Sequence, residues 1–167
     1  MKRAAAPLLI LAGLAACATV STTTPGVRAP PPAAPRSYTP QVVRASQPLE
    51  CVPYARQRSG VLIFGDAHTW PAQAEGRYRI ETRPRVGAVL ALGGTRGGHL
   101  AYVKAILSER EILVDHANWA NDGLIHIDAP VRDVSTRGDW SEVRVWHMGT
   151  RQLGVTSYPV RGFILAE

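Results

Sequence analysis

Beyond residue 17 this chain holds a single cysteine, Cys51. The only other one, Cys17, closes a segment that reads as an export leader. No disulfide can form inside the remaining chain, so its fold has to come from burying an apolar core. Residues 48–167, about 120 in all, are enough for one ordinary domain without covalent staples. The same count bears on chemistry. An unpaired thiol in an oxidising compartment oxidises or pairs wrongly, so a retained one points to a working sulfur.

The leader has the order of a secretory signal. Lys2 and Arg3 give a positive start, Ala4–Leu14 is apolar, and Leu14-Ala15-Ala16-Cys17 ends it. The apolar run is far shorter than the roughly 20 residues of a membrane-spanning helix. Leu-Ala-Ala-Cys resembles a bacterial lipobox, in which Cys17 would carry the lipid. Ala16-Cys17-Ala18 alternatively suits ordinary cleavage of a secreted protein. Residues 1–17 are thus expected to be a signal, and residues 18–47 a Pro/Thr/Ala-rich spacer that includes Ala29-Pro30-Pro31-Pro32-Ala33-Ala34-Pro35. The expected location is the periplasm or outer membrane, with membrane contact through a lipid anchor only.

The formal charge is +6, and loss of Lys2 and Arg3 with the leader lowers it to +4. The arginines are scattered without a run of four or five, which argues against nucleic-acid binding. A mild positive charge suits an anionic surface such as a cell wall, and suits solubility equally well.

Along residues 48–167, Glu50–Ser59 reads as a helix stopped by Gly60, with Pro53 in the first turn. Cys51 then lies at the helix N-terminus, where N–H groups and the helix dipole are expected to lower its pKa. Asp66 is expected to cap a second short helix running to about Ala74, with Ala67 and Trp70 inward. Val86–Leu92, His99–Leu107, Glu111–Trp119, Leu124–Ile127, Val143–His147 and Gly162–Ala166 read as strands. The expected fold class is α+β: N-terminal helices packed on a mostly antiparallel sheet of five to six strands.

Residues two apart share a strand face. One face carries His99, Ala101, Val103 and Ala105; the next strand offers Ile112, Val114, His116 and Asn118. A two-residue turn centred on Ser108-Glu109 sets His99 opposite Asn118 and diagonal to His116. The apolar residues then pool on one side, and the polar tips gather at its open end. A cysteine on a helix, a histidine on a strand and a polar residue on the next strand are the parts of a thiol hydrolase. Cys51 is the candidate nucleophile and His99 the candidate base. Either His116 or Asn118 would orient His99.

Other groups point elsewhere or nowhere. Gly93–Gly98 lacks the Lys-Ser/Thr ending of a phosphate loop and leads into a strand. His68, His126 and His147 lack tight ligand spacing. A zinc set from His99, His116 and His126 is geometrically conceivable, but no metal or organic cofactor is expected.

Five blocks carry a resemblance: Cys51-Val52-Pro53-Tyr54-Ala55-Arg56; Gly65-Asp66-Ala67 with Trp70; Pro84-Arg85-Val86-Gly87-Ala88-Val89; Gly98-His99-Leu100-Ala101-Tyr102-Val103; and Asp115-His116-Ala117-Asn118-Trp119. In this order and spacing they resemble the CHAP domain, the cysteine- and histidine-dependent amidohydrolases/peptidases. The resemblance implies a papain-like fold and cleavage of peptidoglycan by an N-acetylmuramoyl-L-alanine amidase or an endopeptidase. It implies Cys51 as nucleophile and His99 as base. A monomer is expected. One position departs from the family: His116 stands where a Glu, Asp or Asn is usual. That leaves the third residue open, and with it a weakened or inactive domain that binds or scaffolds the cell wall.

Overall fold

The computed structural model describes residues 38–95 and 97–166. The leader, Cys17 and most of the spacer lie outside the described residues. Among the described residues eight strands are present: β1 (Gln41–Val43), β2 (Arg79–Glu81), β3 (Val89–Leu92), β4 (His99–Ser108), β5 (Glu111–Ala117), β6 (Ile125–Asp133), β7 (Glu142–His147) and β8 (Gln152–Leu165). Two short helices, α1 (Cys51–Ser59) and α2 (Trp70–Ala74), flank a 3₁₀ turn at Ala67–Thr69. None of these helices is long and apolar enough to cross a membrane. β1 pairs with β6 from within the stretch read as a spacer.

The expected α+β fold, with helices on an open sheet, is corrected. Strands make up 44% of the described residues and helices 13%. β3 to β8 pair in chain order, all antiparallel, and β8 returns to β3, which closes a six-stranded barrel. Closure leaves these six strands without a free edge. The 14-residue β8 makes it possible. Its first half pairs with β7 through Gln152–Pro159, and its second half pairs with β3 and β2 through Val160–Leu165. Gly162 sits at the bend with φ +137°, and a Cβ there would lie 2.7 Å from Ile80 Cγ2. Only glycine lets β2 cross so closely.

Alternation on the strands builds two cores. Leu90, Leu92, Ala101, Val103, Ile112, Val114, Ala129, Val131, Val143, Val145 and Phe163 fill the barrel interior around Trp140. The opposite faces of β3, β4 and β8, through Val89, Ala91, Leu100 and Ile164, pack outward against Ala55, Val61, Ile63, Trp70 and Ala74. β3 is therefore buried on both faces, which is why it reads as an unbroken apolar run.

The β4–β5 hairpin reaches the expected register by an unexpected route. Its turn is Glu109-Arg110, one residue later than expected, since Ser108 pairs with Glu111. Lys104 and Leu107 are each left over as bulges. Together they restore Val103 opposite Val114 and Tyr102 opposite Asp115 at the far end. Asp66 does not cap the second helix with its side chain; its carbonyl instead accepts from the Thr69 hydroxyl and N–H.

Candidate active site

α1 begins at Cys51 because Glu50 is still extended (φ −84°, ψ 158°), and it ends at Gly60 in the left-handed region (φ 77°). Tyr54 and Ala55 bury its inner face. Arg58 reaches the buried Asp115 of β5 at 3.2 Å and lies over the Tyr102 ring. The lead-in is tied by the Leu49 N–H to the Gly123 carbonyl at 3.1 Å. These contacts hold α1 against β4 and β5, and its lead-in against the loop after β5.

Cys51, His99, Asn118, Glu50, Gly98 and Trp119 line one open cleft of about 410 Å³. The Cys51 sulfur lies against the N–H of Leu100, the residue after His99. Gly98, just before β4, packs against the 3₁₀ turn at Ala67–Thr69. Its φ is +73°, and a Cβ would sit 2.6 Å from the His68 amide nitrogen. Within the first turn of α1, Pro53 has no N–H and that of Tyr54 goes to the Glu50 carbonyl. The N–H groups of Cys51 and Val52 both face the sulfur.

The electrostatics differ from the expected lowered thiol. Burial pushes the Cys51 thiol up; the Leu100 N–H opposes this, and the Glu50 carboxylate adds to the rise. Burial also lowers His99 to about 3, with His126 adding to the effect. The helix N-terminus is present, but desolvation outweighs it. The resting pair is thus a neutral thiol beside a neutral imidazole.

His99 Nε2 lies 2.9 Å from His116 Nδ1. The other His99 nitrogen, Nδ1, is left for the cleft. His116 is fully buried and does not reach the cleft. Burial holds it well below the usual histidine range, with His99 and His126 adding to this. A neutral His116 can accept a hydrogen bond from the His99 Nε2–H without the repulsion that a charged ring would bring. Asn118 is placed differently. It follows β5 with φ 58°, donates to Glu50 Oε2 at 2.7 Å, and accepts the Gly123 N–H at 2.8 Å. Its amide joins a loop to the start of α1 and makes no hydrogen bond to His99.

Sequence reasoning read Trp119 as core or groove wall and missed Tyr158. Trp119 packs edge-on against His99, with ring centroids 4.7 Å apart, and Tyr158 against Trp119 at 5.1 Å. Beyond these rings the cleft continues into an apolar groove of about 250 Å³ lined by Val145, Leu153 and Val155. Tyr158 lies in the half of β8 that does not read as strand, and no sequence signal linked it to Cys51. Among the described residues no group of three or more His, Cys, Asp or Glu is arranged to hold a metal ion.

Residues 43–118 match the family model of the CHAP domain. This region is a CHAP domain. The match spans Cys51, His99, His116 and Asn118, and stops before β6. No curated protein matches the chain. CHAP domains are in general cysteine- and histidine-dependent amidohydrolases, with a peptidoglycan-type substrate.

Proposed function

We propose that this protein is an exported peptidoglycan hydrolase in which Cys51 cuts an amide bond, as an N-acetylmuramoyl-L-alanine amidase or an endopeptidase. The observation that carries the reading is the meeting of Cys51 and His99 in one cleft, with His116 hydrogen-bonded to the far nitrogen of His99. The neutral pair calls for general-base catalysis. His99 Nδ1 takes the thiol proton as the sulfur attacks the carbonyl carbon. The N–H groups of Cys51 and Val52 stabilise the oxyanion of the tetrahedral intermediate. His99 returns the proton to the leaving amine, the C–N bond breaks, and a thioester remains. Water, deprotonated by His99, attacks that thioester; the carboxylic acid leaves and the thiol is restored. While His99 is protonated, His116 Nδ1 accepts from its Nε2–H and steadies the cation.

The groove past Trp119 and Tyr158 gives a substrate room to extend beyond the bond being cut. The leader supports export, and Leu14-Ala15-Ala16-Cys17 supports a lipid anchor on Cys17 that holds a monomer at the membrane beside the wall. Zymography on purified peptidoglycan tests the reading. The wild type should clear the substrate and Cys51→Ala should not; equal clearing by both would end the proposal. Mass spectrometry of the released fragments would then name the bond from its new termini.

A second reading is a CHAP fold that binds or scaffolds the wall without cutting it. The raised thiol, and a histidine in place of a carboxylate beside His99, favour it. Pull-down of the wild type by insoluble peptidoglycan, with no soluble fragments released, would select it.

A further inference from the structure

Behind His116 lies a buried histidine that the proposed mechanism does not use. His126 of β6 is the cross-strand partner of His116, and their rings meet edge to face with centroids 5.3 Å apart. His126 Nε2 lies 3.3 Å from Asp122 Oδ2. The nitrogens that remain, His116 Nε2 and His126 Nδ1, are both buried and have no hydrogen-bond partner. Three imidazoles therefore stand in file from the cleft to a surface carboxylate: His99, His116, His126, Asp122. Trp119 closes another side of the file, 5.4 Å from His116.

Hydrogen bonds fix proton positions at the two ends of the file, and ring-to-ring electrostatics join the ends. An ionised carboxylate only accepts, so the proton on His126 must sit on Nε2, facing Asp122. His126 Nδ1 is then a bare acceptor. His116 and His126 share no hydrogen bond, but their rings stand 5.3 Å apart in one buried region, and a second bare nitrogen lone pair beside the first is electrostatically disfavoured, which favours the His116 proton on Nε2. His116 Nδ1 in turn becomes an acceptor, and the 2.9 Å contact is satisfied only if His99 carries its proton on Nε2. His99 Nδ1 is then a bare base toward the cleft. The opposite set of tautomers would put a proton on His99 Nδ1 and leave no base for the thiol.

We infer that Asp122 and His126 are positioning residues, which through His116 set the tautomer of His99. The catalytic meaning of this rests on the proposed thiol mechanism; the tautomer itself does not.

Asp122→Asn isolates the effect. Asp122 Oδ1 accepts the Leu124 N–H at 2.9 Å, a turn bond that the asparagine carbonyl oxygen retains. The new amide would donate toward His126 Nε2, drive its proton to Nδ1 and reverse the file. Long-range proton–nitrogen correlation spectra of the ¹⁵N-labelled protein at neutral pH report each tautomer directly. The wild type should show His99, His116 and His126 protonated on Nε2. Asp122→Asn should move His126, and with it His99, toward the Nδ1–H form, and Asp122→Glu should restore the wild-type pattern. On peptidoglycan, Asp122→Asn should lower kcat about tenfold with KM unchanged; the wrong tautomer with a direct partner costs roughly 10⁴, and two rings intervene here. A wild-type His99 protonated on Nδ1, or a His99 tautomer unmoved in Asp122→Asn, would overturn the inference. A merely structural Asp122 would shift the melting temperature and leave the tautomers alone. If the wild type fails to clear peptidoglycan, the proposed function falls, while the spectra still decide the inference.

Discussion

β4, β5 and β6 present one continuous face to the barrel interior, and its two ends are built from opposite chemistries. At one end Val103, Ile112, Val114, Ala129 and Val131 pack hydrocarbon on hydrocarbon. At the other, His99, His116 and His126 are just as buried but carry ring nitrogens, two of them without partners. The first end contributes stability at about 25 cal/mol per Å² of apolar area removed from water. The second forgoes part of it, because polar groups that lose water must find partners. The apolar end also sets the chemistry of the polar one. Burial among apolar walls holds the His99 and His116 imidazoles neutral, and the same desolvation raises the thiol pKa.

The contrast can be broken from either end. Phe163→Ala empties the centre of the barrel interior and should cost about 3–5 kcal/mol in denaturant unfolding. Such a loss would leave the histidine file intact only as long as the barrel holds.

Acidification attacks the polar end. His99 and His116 are lowered in the folded state, so below pH about 6.5 the unfolded chain binds more protons than the folded one. Stability should be full above that pH and fall as the pH drops toward about 3, the folded value of His99. Between pH 7 and pH 5 His99 alone should account for a loss of about 2 kcal/mol, read from unfolding curves at each pH.

His116→Phe sharpens the comparison by making the polar end more like the apolar one. It should remove the part of that acid sensitivity that comes from His116. It should also lower kcat about a hundredfold, a barrier increase of about 2.7 kcal/mol, with little change in KM. His116→Asn, which offers a carbonyl oxygen near the position of Nδ1, should recover part of the rate.

Local features were legible in the sequence and closure was not. Pro53 and Gly60 bracket α1, so the position of Cys51 at its start follows from residues a few places apart. The facing of His99 and His116 follows from the period of two, and it survives because the Lys104 and Leu107 bulges compensate for the displaced turn. The barrel stayed hidden because Gly154, Thr156, Ser157 and Pro159 make the first half of β8 read as a loop. Its pairing with β7 depends on partners far away in the chain. The thiol shift was misjudged for a related reason. The helix N-terminus can be read from neighbouring residues, whereas the burial that outweighs it is assembled from β3, β4 and the loop after β5. Asn118 looked like a strand residue until its left-handed backbone turned its amide toward Glu50.

Alkylation of Cys51 by iodoacetamide across pH 5–10 tests most directly whether the site rests as a neutral thiol beside a neutral imidazole. The rate should stay low through neutrality and climb only above the free-cysteine range, about pH 8.5. A fast plateau reached by pH 6, and lost in His99→Ala, would reveal a preformed thiolate–imidazolium pair and contradict it.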